Sequence, residues 1–277
     1  MRIVKNLQIL SILILLLSCA EKNNTTKYQK QEVLEPNIDL NTLKTDFIEW
    51  WAYYSDNISL SSDFVGLNEK SDTITKKLLL ENLITGNYIP LKIKSNTQKD
   101  IYKLFKLDER TSVDIRTTIK SQSLTEFKYF KMEGQQFPNF EFVDLNGNYY
   151  NNENTRGKTI LLKTWFINCA ACVTEFPELN DFVDKYKERE DIIFLSLATN
   201  NKSDLNTFLQ RKNFKYGVVP KQEKFIEKLN LKIYPTHIII DKKGIIKKVF
   251  NEASEMIAFF EVEENKKSLK KLPPPPM

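Results

Sequence analysis

Cys169 and Cys172 stand three residues apart in the segment Thr164-Trp165-Phe166-Ile167-Asn168-Cys169-Ala170-Ala171-Cys172-Val173-Thr174-Glu175-Phe176-Pro177. The chemistry open to such a pair is disulfide exchange. A thiolate attacks a disulfide sulfur, a mixed disulfide forms, and a second thiol resolves it. The attacking sulfur must be ionised and within reach of its substrate. A nearly continuous apolar run, Thr159 to Phe166, precedes the pair and reads as a strand buried on both faces. After it, Cys172, Val173, Phe176, Leu179, Phe182, Val183 and Tyr186 recur at helical spacing. Cys169 is therefore expected at a strand-to-helix handover, exposed, where the free N–H groups and partial positive charge of the first turn favour an anion. Cys172 lies about one turn further along, so its sulfur can reach back and close a disulfide with Cys169. The roles follow: Cys169 attacks or carries the mixed disulfide, and Cys172, deeper in the helix, resolves it. Ala170 and Ala171 add no charge between them.

The third cysteine, Cys19, sits in a different context. Arg2 and Lys5 precede an apolar run from Ile9 to Leu17, and a polar stretch beginning Glu21-Lys22-Asn23-Asn24 follows. The run is shorter than the roughly 18–20 residues a bilayer span requires, and it reads as the hydrophobic region of a secretory signal. Leu16-Leu17-Ser18-Cys19 resembles the lipobox of bacterial lipoproteins, which implies cleavage before Cys19 and its lipidation. With Cys19 acylated, Cys169 and Cys172 have no competing thiol partner. An exported protein meets oxidising conditions, in which a dithiol can cycle with a disulfide. Two thiols and one histidine, His237, do not make a zinc site. The 277 residues carry 41 basic and 36 acidic side chains, a net charge of +5. There is no basic stripe with interleaved aromatics, so nucleic-acid binding has no support.

Outside the motif, residues 19–40 are polar and read as a tether. Residues 41–134 read as a small mixed or β-rich domain of unknown type. Within it, Phe47 to Tyr54 is strongly aromatic and expected to be core. Thr73 to Thr85 is open to helix or strand, Ile101 to Leu107 is expected as a short helix, and Ser112 to Lys120 as a strand. From Gly134 the pattern is regular. Phe137 to Asp144 alternates and meets the turn pair Asn146-Gly147. Strand Thr159–Phe166, a helix from Cys169 kinked at Pro177, and strand Asp191–Leu197 follow. Next come a helix capped near Ser203-Asp204, a short strand at Tyr216–Val219 and a helix at Lys221–Leu229. A hairpin of Thr236–Asp241 with Ile245–Phe250 and a last helix from Ala253 complete the series. This alternation implies a layered α/β domain over 135–265, with a Pro-rich tail at 266–277.

Over about residues 135–262 the chain resembles the thioredoxin superfamily, and within it the membrane-tethered TlpA/ResA-like branch. The resemblance rests on the Trp165-to-Cys172 block after a buried strand, on Glu175-Phe176-Pro177, on Tyr234-Pro235-Thr236, and on Ile238-Ile239-Ile240-Asp241 with Gly244. It implies a thioredoxin-like fold, a central mixed sheet flanked by helices, with a Cys169–Cys172 redox disulfide and no other cofactor. Tyr234 and Pro235 look like the cis-proline loop that pairs with an incoming peptide; the alternative is a trans turn proline. Trp165 is grouped with these substrate-binding residues by its place in the motif, its indole expected to be core beside the site. Glu175 is similar to an active-site acid/base of that branch; it reads equally as an exposed first-turn carboxylate. The chain departs from the family in Ala170-Ala171, in Asn168, and in Lys163, where thioredoxin itself carries an aspartate. A buried lysine is costly, so Lys163 is expected either to snorkel outward or to lower the thiol pKa. His237 is expected to be structural.

The resemblance implies a thiol–disulfide oxidoreductase of the cell envelope, facing the periplasm and anchored to the lipid membrane through Cys19. Its partners would be protein disulfide substrates and a membrane electron donor. The competing readings are a binding or scaffold lipoprotein with a permanent disulfide, and a peroxidase, which the absence of a Thr at position 166 disfavours.

Overall fold

The structure is a computed structural model and describes residues 39–94 and 99–270. The expected signal peptide 1–18, Cys19 with nearly all of the tether 19–40, and residues 271–277 of the expected tail lie outside the described residues. Among the described residues no helix is long and apolar enough to cross a membrane.

The N-terminal part runs α1 (Leu40–Thr45), α2 (Phe47–Asn57), β1 (Val65–Leu67), β2 (Thr73–Ile74), α3 (Lys76–Ile84), β3 (Tyr88–Ile93), β4 (Ile101–Lys106) and α4 (Val113–Met132). Its sheet has the order β2-β1-β4-β3, with β1 and β4 parallel and the other pairs antiparallel. The core gathers Trp50, Leu79, Leu80, Leu83, Ile89, Tyr102, Leu104, Ile115 and Ile119. Trp50 supplies the expected aromatic core of α2, while Ile48 on the same helix stays exposed.

Two expectations for this part are corrected. Ile101 to Leu107 is largely strand, not helix: Tyr102 and Leu104 alternate into the core at period two. Ser112 to Lys120 is not a strand but the start of the long helix α4, and the Ser112 hydroxyl caps it by accepting from the Asp114 N–H. The buried positions there are Ile115, Ile119 and Ser123, spaced by four, whereas Val113 is 74% exposed. Val113 and Ile115 had suggested alternation. Packing of α4 against α3 selects the helical period instead.

The C-terminal part comprises the hairpin β5 (Glu141–Val143) and β6 (Tyr149–Asn151), then β7 (Thr159–Trp165), α5 (Ala170–Thr174), α6 (Phe176–Tyr186), β8 (Ile192–Ala198) and α7 (Lys202–Leu209). β9 (Gly217–Val219), α8 (Glu223–Lys228), β10 (Thr236–Ile240), β11 (Ile246–Phe250) and α9 (Ala253–Lys270) follow. The second sheet has the order β11-β10-β7-β8-β9; β7, β8 and β9 are parallel, and β10 runs antiparallel to both its neighbours, β7 and β11. Every residue of central β7 is buried. One face packs Leu161 and Ile239 against Leu179 and Phe182 of α6 and Met256 and Phe260 of α9. The other packs Ile160, Leu162 and Ile238 against Phe137, Phe142, Ile226 and Tyr129. Gly147 turns the hairpin at a φ of 87°, which glycine adopts without strain. The last helix starts where expected but continues to Lys270, into the stretch expected to be tail.

The two parts share α4. Its N-terminal half lies in the first core and Tyr129 in the second, where the Tyr129 hydroxyl donates to Asn251 Oδ1 at 2.9 Å. Residues after α4 then pair with the sheet: Gly134 N–H donates to the Ile246 carbonyl at 2.8 Å and Ile246 N–H to the Gln135 carbonyl at 2.9 Å. Ile119→Ala removes a fully buried side chain and is expected to cost about 2–5 kcal/mol. Because α4 serves both cores, urea unfolding of that variant should show one lowered midpoint, the same for tryptophan fluorescence and for reductant access to the disulfide.

Candidate active site

The strand β7 leaves the core at Trp165, and a short turn carries the chain to Cys169, the N-cap residue of α5. Asn200 fixes that turn: its Oδ1 accepts the Ile167 N–H at 2.8 Å. Cys169 and Cys172 form a disulfide. The Cys172 backbone N–H donates to Cys169 Sγ at 3.2 Å, so a free first-turn donor points at the sulfur that would carry negative charge after reduction. Cys169, expected to be exposed, retains 7% of its surface; Cys172 retains none. Phe166, Ile167, Val173 and Tyr234 are among the side chains that pack on the cluster holding both cysteines. Of the two sulfurs, Cys169 remains the one nearer solvent.

Tyr234-Pro235 is a cis peptide bond immediately before β10. The Tyr234 ring meets Phe166 edge-to-face with centroids 5.3 Å apart, which ties this loop to the turn before Cys169. Ile233 beside it, Asn168 and the Ala170-Ala171 pair are exposed. Trp165 is core beside the site, as expected, fully buried with its indole N–H donating to Ser196 Oγ at 3.2 Å and Phe176 packed edge-on; its grouping with the substrate-binding residues is corrected. No surface is left on it for a substrate, and it works as a floor beneath the dithiol.

The expected single helix from Cys169 to Tyr186 is two, α5 and α6, meeting at Glu175. Pro177 has no N–H to donate to the turn before it, so the ladder breaks there. Glu175 does not lie as an exposed first-turn carboxylate. Its side chain turns inward with 14% exposure. Oε2 accepts from Lys163 Nζ and from His237 Nε2, the latter at 3.0 Å, and Oε1 accepts the Ala253 N–H at the start of α9 at 2.9 Å. Lys163 does not snorkel: it is fully buried and paired with Glu175. His237 sits directly opposite Lys163 in the β7–β10 register and is a member of this cluster.

Burial pushes the Glu175 carboxyl up, but His237 and Lys163 outweigh it, and the net shift is downward. Burial lowers the Lys163 ammonium, and Glu175 opposes that. Burial also lowers His237, and Glu175 opposes that. Sequence reasoning treated Lys163 and His237 separately and missed that they converge. The available signal was a charge in the middle of an apolar strand, which needs a buried counter-charge. Among the described residues no group of three or more His, Cys, Asp or Glu could hold a metal ion.

Residues 132–266 match the Redoxin family model. The chain is 29% identical over 124 residues to a thiol-disulfide oxidoreductase ResA of Bacillus cereus, covering 44% of this chain and 72% of that protein. These likenesses support a TlpA/ResA-like domain of the thioredoxin superfamily over this segment. The chain is also 25% identical over 119 residues to the thioredoxin-like protein YneN of Bacillus subtilis, covering 42% and 70%. A solved thioredoxin domain of a thiol-disulfide oxidoreductase from Bacteroides vulgatus aligns with a TM-score of 0.43 at 21% identity, over 47% of this chain and 96% of that one. With the disulfide on the handover from β7 to α5, the thioredoxin-like domain is that of a thiol–disulfide oxidoreductase.

Glu175 compensates a fully buried cation. Glu175→Ala should therefore cost about 3–5 kcal/mol in urea unfolding, and Lys163→Met/Glu175→Gln, which removes both charges, should recover most of it. The pH dependence follows from the downward shift. The stability Glu175 contributes is fully present above its ordinary value of 4.5 and is lost as pH falls through the lower folded one.

Proposed function

We propose that this chain is a membrane-anchored, extracytoplasmic reductase of disulfides in exported proteins, held by lipid on Cys19. The observation that carries the exchange chemistry is the Cys169–Cys172 disulfide at the start of α5, with Cys172 wholly covered and Cys169 retaining a small exposed surface. In the reduced protein the Cys169 thiolate attacks a substrate disulfide. The substrate S–S bond breaks, a bond to Cys169 forms, and one substrate sulfur leaves as thiolate. Cys172 then gives its proton to the Glu175 carboxylate, three residues on, and attacks Cys169. The second substrate sulfur leaves, and two electrons have passed to the substrate. A membrane electron donor restores the dithiol.

Tyr234 and Pro235 are the proposed substrate contacts, supported by the cis bond between them and by the Tyr234 ring packing on Phe166 in the turn before Cys169. The uncharged rim of Ala170, Ala171 and Ile233 supports a partner that presents an extended, weakly charged segment. The envelope location is supported by the apolar run Ile9–Leu17 ahead of Ser18-Cys19. Two or three acyl chains, at about 0.8 kcal/mol per buried CH₂, would anchor the protein stably.

Cys172→Ser should freeze a mixed disulfide on Cys169, and its partners should be envelope proteins identifiable by mass spectrometry under non-reducing conditions. Loss of all adducts, with no reduction of insulin by the wild-type protein, would favour a scaffold with a permanent disulfide. For the anchor, cells fed radioactive palmitate should label the wild type and leave Cys19→Ala unlabelled; label on both variants would remove the lipoprotein reading.

A further inference from the structure

We infer that Lys163 and His237 are positioning residues for proton transfer at Cys172, together holding Glu175 as an inward-facing carboxylate. This rests on the reading of Glu175 as the acceptor of the Cys172 proton. The two side chains leave the same face of the sheet from paired positions on β7 and β10 and converge on Glu175 Oε2. The other oxygen takes the Ala253 N–H. Glu175 thus faces three donors. An ionised carboxylate only accepts, so it satisfies all three, whereas a protonated carboxyl would turn its own O–H against one of them. His237 Nε2 must be the protonated ring nitrogen, since it meets that carboxylate. Its Nδ1 is buried without a hydrogen-bond partner, so a second proton there would find no acceptor.

The surroundings otherwise oppose the anion. Glu178 on α6, Glu252 just ahead of α9, and Tyr216 ahead of β9 are the other titratable groups that sense its charge. Burial pushes the Glu175 carboxyl up, and its charge in turn helps push the Glu178 and Glu252 carboxyls up. Lys163 and His237 offset the burial. The carboxylate is then ready when Cys172 needs a base.

The test uses the full chain, reduced and mixed in stopped flow with dithiobis(nitrobenzoate). The first thiolate released reports attack by Cys169 and the second reports resolution by Cys172. The first release is the reference for each variant, and circular dichroism checks folding. In the wild type, the second release should fall at acid pH as Glu175 protonates. Lys163→Met should move that acid limb up by about one pH unit, making the step about tenfold slower below it. His237→Leu should move it the same way by less, and His237→Gln, which keeps an N–H donor, should restore it. Glu175→Gln should abolish the limb, and Lys163→Met/Glu175→Gln should match Glu175→Gln alone. Folded Lys163→Met and His237→Leu proteins with the wild-type limb, alongside a Glu175→Gln that loses it, overturn the positioning roles. A wild-type limb in Glu175→Gln or in the double variant overturns the reading of Glu175 itself. If Lys163→Met does not fold, the His237 pair and the double variant decide.

Discussion

A lysine in the middle of the central strand constrains much of the second domain. Lys163 is fully buried on β7, between Leu161 and Trp165 on the same face. An ammonium in that position costs several kcal/mol unless a counter-charge reaches it with good geometry. Glu175 is that counter-charge, and it can reach only by turning inward where α5 meets α6. Doing so, it also accepts the first N–H of α9, so one carboxylate joins the strand pair β7–β10, the active-site helix and the last helix. Cys172 lies on the same short helix. Its position relative to the sheet is therefore set by an electrostatic requirement as well as by apolar packing.

The N-terminal part is joined to the thioredoxin-like part by a second set of charges. Lys248 on β11 pairs with Asp63 at 2.8 Å and with Glu133 at 3.4 Å. Glu255 on α9 accepts from the hydroxyls of Ser59 and Ser61. Nearby, Lys76 donates to the carbonyls of Ser61 and Ser62, and burial lowers it to about 8. Burial also pushes Glu126 up to about 7. Together with the shared helix α4, these contacts make the N-terminal sheet part of the body that carries the dithiol rather than an appendage to it. α9 touches both ends of this arrangement, through Ala253 at the site and Glu255 at the join.

The two parts differ in how far their residues reveal their structure. Between Gly134 and Ala253 the order of strands and helices was legible, because buried parallel strands are long apolar runs and the helices between them repeat apolar residues at helical spacing, although α7 is capped by Asn201 rather than near Ser203-Asp204. The Cys169–Cys172 pairing followed from spacing within one turn. In the N-terminal part the patterns are short and half-polar, so helix and strand periods compete. Ile101–Leu107 and Ser112–Lys120 were resolved only by which side chains meet α3 and the sheet.

The sequence by itself determined the redox pair, its place at a strand-to-helix handover, and the family that arrangement resembles, because all of these are local in the chain. Tertiary structure alone decided that Lys163, His237 and the Ala253 N–H, spread over ninety residues, meet on the one carboxylate of Glu175, and that Cys169 is largely covered. The physical reason is that the cost of a buried charge is settled by whatever groups the fold brings within hydrogen-bond reach, and strand register and helix docking are not written in the spacing of any one segment.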